Sequence, residues 1–111
     1  MTSIVQTQTT SFKKELYEAV HNFTTDTFKI ALYTASANLN EATTVYSATN
    51  EVTGTGYVAG GVVLTGTTVG SSDYTAFVNF ANAAFNAAVT ARCALIYNAS
   101  KGNKSVAVLD F

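Results

Sequence analysis

Ionised side chains are scarce in this chain: 6 Lys and Arg and 7 Asp and Glu among 111 residues, a charged fraction of 12%. That is about half of what soluble domains usually carry. The net charge of −1, with Lys13, Lys14, Lys29, Arg92, Lys101 and Lys104 scattered, leaves no electrostatic footprint for nucleic acid. A single cysteine excludes an internal disulfide, and Cys93 sits in the apolar run CALIY, where a small buried hydrophobe is expected rather than a reactive thiol. Tryptophan is absent, which weakens a sugar-stacking role for the six Tyr and seven Phe. No apolar run approaches the ~18–20 residues that cross a bilayer as a helix. The first ten residues, MTSIVQTQTT, lack the basic and apolar regions of a secretory signal, so synthesis and folding in a cytoplasm are expected.

What remains is apolar and neutral. Hydrophobic residues make up 48% of the chain, enough for one globular domain. A chain of this length buries very roughly 65% of its unfolded surface without help from metals or disulfides. Polarity comes from 18 threonines, 9 asparagines and 8 serines. Threonine favours strands, and a neutral hydroxyl and amide exterior can be covered by a partner without stripping water from full charges. That composition suits a β protein that packs into something larger.

Residues 1–10 read as a polar arm whose sizeable apolar side chains, besides Met1, are Ile4 and Val5. From Ser11 the spacing of Phe12, Leu16, Ala19 and Val20 predicts a helix over 11–21, capped by Thr10 or Ser11 and packed through Phe12, Leu16 and Val20. The period then falls to two. TFKIALYT (27–34), a stretch at about 62–69, YTAFVNF (74–80), VTARCALIYN (89–98) and SVAVLDF (105–111) read as strands, with a short one near Thr44–Tyr46. Gly70–Asp73 reads as a hairpin turn, and ANAAFNAA (81–88) as a turn with one helical twist. Residues 11–111 are thus expected to form one all-β domain with an N-terminal helix, a jelly-roll-like β-sandwich.

Glycines punctuate NEVTGTGYVAGGVVL (50–64) at Gly54, Gly56, Gly60 and Gly61. Such a loop would cradle phosphate only if it opened a helix, and here a β-branched run follows with no P-loop lysine. A turn, bulge or close backbone approach is the expected role. His21, the sole histidine, reads as a helix-terminal residue on the C-terminal dipole. The carboxylates stand singly apart from one helical pair, and no spacing resembles a zinc or calcium site. Catalytic residues, metal and cofactor are accordingly none.

Both faces of the last hairpin carry apolar residues. Val89, Ala91, Cys93, Leu95 and Tyr97 share one face; Ala94 and Ile96 lie opposite, and Val106 and Val108 alternate with Ala107, Leu109 and Phe111. One sandwich face needs only one such set. The second set must meet the N-terminal helix, a second subunit or another protein, with helix cover the default. The candidate contact residues are therefore Ala94, Ile96, Ala107 and Leu109, with Ile4 and Val5 on the arm and Tyr33 and Tyr57 as aromatic contacts.

Three blocks in order, SFKKELYEAVHNFTTDTFKIALYT (11–34), TTVYSATNEVTGTGYVAGG (43–61) and ARCALIYNASKGNKSVAVLDF (91–111), resemble the capsid decoration proteins, also called staple or cement proteins, of tailed bacteriophages. The resemblance implies a β-rich, jelly-roll-like module on the outer surface of an HK97-type shell, with no enzymatic role and no catalytic motif to carry over. The expected function is to clamp neighbouring major capsid subunits, as a homodimer or else a trimer. The partner implied is the major capsid protein, with no membrane or nucleic acid involved. A carbohydrate-binding or host-adhesion module on the virion is the alternative.

Overall fold

The central strand is FKIALY, in which five of six side chains are buried. In the computed structural model, which describes residues 4–81, 85 and 89–110, this strand, β2 (Phe28–Tyr33), pairs antiparallel along its whole length with β6 (Cys93–Asn98). Strand β7 (Lys104–Asp110) lies beyond β6, and the short β1 (Thr7–Gln8) beyond β7. On the other side of β2 lies β3 (Val62–Val63). The sheet order is β1-β7-β6-β2-β3, antiparallel throughout. A second sheet holds only β4 (Thr68–Ser72) and β5 (Thr75–Asn79). With one helix, α1 (Thr10–Tyr17), and a 3-10 turn at Ala99–Lys101, the fold is all-β: two antiparallel sheets and one short helix.

Apolar residues cover both faces of the large sheet, and each face finds cover within the chain. Ala31, Tyr33, Cys93, Leu95, Tyr97 and Val108 pack under the 34–52 loop, which contributes Ala37 and Leu39. On the other face Ile30, Leu32 and Ala94 pack with Val52, with Val62, Leu64, Phe85 and Val89 closing over them. Phe12 from α1 covers only one end of this face, against Phe28 and Val106. A register shift between Ile96 and Tyr97 leaves Val106 as the extra residue on β7, which lets Val106 join that end cluster. The helix is thus a minor part of the cover.

Several expectations shift by a few residues, each for a local reason. Thr9, not Thr10 or Ser11, caps the helix: its hydroxyl accepts the Phe12 N–H at 3.3 Å and meets the Ser105 hydroxyl at 2.9 Å. The helix ends at Tyr17 rather than 21, so Leu16 is 45% exposed instead of buried. The expected turn at Gly70–Asp73 falls instead at Asp73–Tyr74. Gly70 stays in the strand because the Phe77 ring lies over it, 2.8 Å from where a Cβ would stand. The stretch 62–69 divides into β3 and the start of β4. Near Thr44–Tyr46 only one bridge forms, Val45 to Lys104. The expected twist at 81–88 lies largely outside the described residues. Residues 4–9 are bonded into the domain: Val5 N–H donates to Leu39 O at 2.9 Å and Thr9 N–H to Val106 O at 3.0 Å.

The end of α1 has the two crossed bonds of a Schellman closure. Ala19 N–H donates to Leu16 O at 3.2 Å and Val20 N–H to Glu15 O at 3.0 Å. The left-handed position, with φ of 57°, is held by alanine where glycine is usual. An L-residue there is disfavoured by roughly 1 kcal/mol. Ala19→Gly is therefore expected to stabilise the domain by about 0.5–1 kcal/mol in urea unfolding; a loss of stability would contradict this closure.

Candidate interaction surface

The sole histidine and the sole cysteine are both turned inward. The His21 side chain has 0% exposure, and its Nε2 lies 2.8 Å from Glu15 Oε1. Asn98 Oδ1 accepts the Ser100 N–H, so its Nδ2 faces both Asp26 Oδ2 at 2.8 Å and His21 Nδ1 at 3.0 Å. Nδ1 must then be an acceptor, which places the histidine proton on Nε2, donating to Glu15. Phe12 closes the ring from one side, with centroids 5.0 Å apart. The helix-dipole role expected for His21 is replaced by a buried bracket joining the end of α1 to β6. Burial pushes the Asp26 carboxyl up, but donors from Asn98 and the Asn22 N–H, with Lys101 nearby, outweigh it and hold it below its ordinary range.

A second polar knot ties down the glycine-rich segment. Glu51 accepts from the Tyr46 hydroxyl, the Tyr57 hydroxyl and, at 2.8 Å, the Gly60 N–H. Tyr57 in turn accepts the Leu32 N–H at 3.1 Å, and Tyr97 donates to Gly60 O at 2.6 Å. Gly61, with φ of 82°, runs so close to β2 that a Cβ would stand 1.8 Å from Ile30 O. Close backbone approach is therefore the role of this glycine. No group of three or more His, Cys, Asp or Glu able to hold a metal occurs among the described residues. Cys93 is buried, which pushes its thiol up and leaves it unreactive.

The sequence candidates scatter. Tyr33 is 1% exposed and donates its hydroxyl to Ser47 O at 2.7 Å, so it is not a contact residue. Ala94 is 0% exposed under the second core cluster and is likewise removed. Alternation shows which face a residue occupies, but not what covers that face. Tyr57 is half-buried and held by Glu51, Leu109 is half-buried in the second cluster, and Ile4 packs on the first. Val5 is 40% exposed. Ile96 and Ala107, both half-buried, come together on the wall of one groove.

That groove is a largely apolar, open hollow. It has a volume of about 400 Å³ between α1, β7 and the hairpin, with Phe12, Leu16 and Phe23 on one side and Val69, Val78 and Phe80 on the other. Sequence reasoning missed it because its two walls are separated by more than forty residues. One signal was present: from Val52 to Ala91 the sole side chain charged at neutral pH is Asp73. A second hollow of about 400 Å³ is lined by Tyr33, Asn38, Thr43 and Asn50. Its polar atoms hold the loop itself, as when Asn40 Nδ2 donates to Asn38 Oδ1 and Asn50 Nδ2 to Ser36 O.

No protein-family model, curated protein or solved structure matches this chain.

Replacing His21 by Ala leaves a hole beside Phe12 and strips Glu15 of its donor. The expected cost is about 2–4 kcal/mol in denaturant unfolding, far above a helix-end effect; a cost of a few tenths would restore the dipole reading. The tyrosines supply a pH test. Burial first, and then the Glu51 carboxylate, pushes the Tyr33, Tyr46 and Tyr57 hydroxyls above their ordinary value of 10.0. The unfolded chain releases these protons first, so stability is retained below about pH 10 and falls as pH rises above it. Urea midpoints measured between about pH 8 and 11 should show this fall, and Tyr57→Phe should make it shallower.

Proposed function

We propose that this chain is a structural virion protein that decorates the outer surface of a tailed-phage capsid and clamps neighbouring major capsid subunits. The observation that carries the reading is the uncharged apolar groove beside a projecting hairpin, while the His21–Glu15 and Glu51 clusters are already occupied by hydrogen bonds within the chain. The resemblance of the three sequence blocks to phage decoration proteins supports the same reading.

A clamp needs two linked footprints. The second contact of an already tethered molecule forms at high effective concentration, so modest interfaces suffice to hold a shell. A homodimer on a two-fold axis supplies such a pair. Neutral threonine, serine and asparagine surfaces dock without desolvating charge. In this reading the five-stranded sheet and the hairpin are unequal layers of a jelly-roll-like sandwich. Antiparallel pairing throughout and apolar residues on both faces of the large sheet support that assignment.

Leu16 and Val69 stand on opposite lips of the groove, 45% and 53% exposed, so each accepts a charge without entering the core. Leu16→Glu and Val69→Glu are expected to fold as the parent does. Each should lower affinity for purified shells at least about tenfold, the scale of burying one unpaired charge at an interface, and reduce protection of the shell on heating. Binding and protection equal to the parent's in both variants would overturn the groove as the docking surface.

A further inference from the structure

Strands β4 and β5 pair only with each other among the described residues, and two strands alone are marginal in water. The hairpin is largely exposed: Val69 is 53% and Phe77 37% accessible, and Tyr74 is fully so. Its two-residue turn, Asp73–Tyr74, makes the flanking Ser72 and Thr75 a hydrogen-bonded pair. Such pairs alternate along an antiparallel ladder. Thr75, Phe77 and Asn79 therefore direct their backbone groups to β4, while those of Ala76 and Val78 point outward. No described backbone group bonds to that outer edge. Edge strands are ordinarily guarded by a charge, a proline or a bulge, and β5, TAFVN, has none of them.

We propose that β5 is a self-association edge: two copies of this chain join β5 to β5 antiparallel, about a two-fold axis at Phe77, into one four-stranded sheet. Two observations select a second copy as the occupant. The first is charge. A two-fold interface sets a patch against itself, so any net charge on it repels its own image. The only ionised side chain between Val52 and Ala91 is Asp73. With Phe77 on the axis Asp73 comes opposite Ala81 of the other copy, and the two Asp73 residues stand roughly 27 Å apart along the ladder.

The second is register. Ala76 meets Val78 of the other copy as a hydrogen-bonded pair, so the outward N–H and C=O groups satisfy one another twice over. Phe77 meets its own image in the closer, non-hydrogen-bonded position, where aromatic cross-strand pairs stabilise most.

The proposal deepens the clamp reading, and rests on it for the use to which a dimer is put. Self-association is measured without a shell, so either can fail alone. Sedimentation of the full chain should show a dimer with a dissociation constant below roughly 100 µM. Ala76→Pro removes an outward N–H at an edge, where proline is tolerated, and should raise that constant at least about tenfold with an unchanged circular dichroism spectrum. Should that variant not fold, F77K decides: like charges on the axis should weaken the dimer at least about tenfold, with recovery in high salt. Phe77→Cys should form a disulfide-linked dimer on mild oxidation, because self-opposed residues lie about 4.5 Å apart at Cα. Ser71→Cys, on β4, should not. A parent that stays monomeric to roughly 1 mM overturns the proposal. So does a folded A76P or F77K variant that dimerises like the parent, or equally fast cross-linking through Ser71→Cys.

Discussion

The outer edge of β2 is where this fold could most easily come apart, and one carboxylate holds it. Beyond β2 there is no full neighbouring strand. Val52 donates to Leu32 O at one end, β3 pairs with Lys29 and Ile30 at the other, and the chain between leaves the sheet. Glu51 gathers the Tyr46 and Tyr57 hydroxyls and the Gly60 N–H, which fixes where that excursion leaves and returns. The Tyr57 hydroxyl then supplies the acceptor that a missing strand would have offered to Leu32 N–H. Stacking of Tyr46 on Tyr97, 4.7 Å between centroids, carries the same knot through to β6. A half-buried carboxylate with three donors is costly to leave partly satisfied, so these contacts form together.

The His21 bracket does comparable work at the opposite end of β2. Glu15, His21, Asn98 and Asp26 form one continuous chain of hydrogen bonds, with Lys104 3.9 Å from Glu15 and Lys101 3.6 Å from Asp26. Phe12 and Phe28 flank its imidazole, and Phe23, stacked on Phe28 at 4.4 Å, and Phe80 pack behind them. The few charges this chain has are concentrated at such joints and on the solvated face of α1. The hairpin is left nearly neutral.

The strands of the large sheet were legible because alternation is local. FKIALY, CALIYN and KSVAVLD announce themselves, and each lies where its pattern puts it. The features that decide the surface were not local. Asn98 stands 77 residues from His21, and only their meeting turns a helix-end histidine into a buried bracket. Glu51 looks like any isolated carboxylate until its tyrosines come round it. The hairpin turn was misplaced because Gly70-Ser-Ser-Asp has turn chemistry, yet the Phe77 ring on the facing strand fills the space a glycine leaves. Three adjacent hydroxyl residues, Thr9, Thr10 and Ser11, made the cap ambiguous, and Ser105 settles it. Tyr33 and Ala94 were assigned to the right strands, but their cover comes from loops that carry no periodicity.

The Thr9–Ser105 contact also sets an order of events. The cap of α1 and the pairing of β1 both depend on residues of β7, and the two hydroxyls lie 96 positions apart in the chain. Closing so long a loop is slow, and contacts of this kind form late in folding. During synthesis the N-terminal segment therefore leaves the ribosome well before its partner strand exists. Until β7 is made, α1 has neither its buttress nor its cap partner, and an eight-residue helix is too short to persist by itself. The domain is completed only after translation has passed β7. In the interval the exposed phenylalanines of residues 12–28 are what a nascent-chain chaperone would meet first.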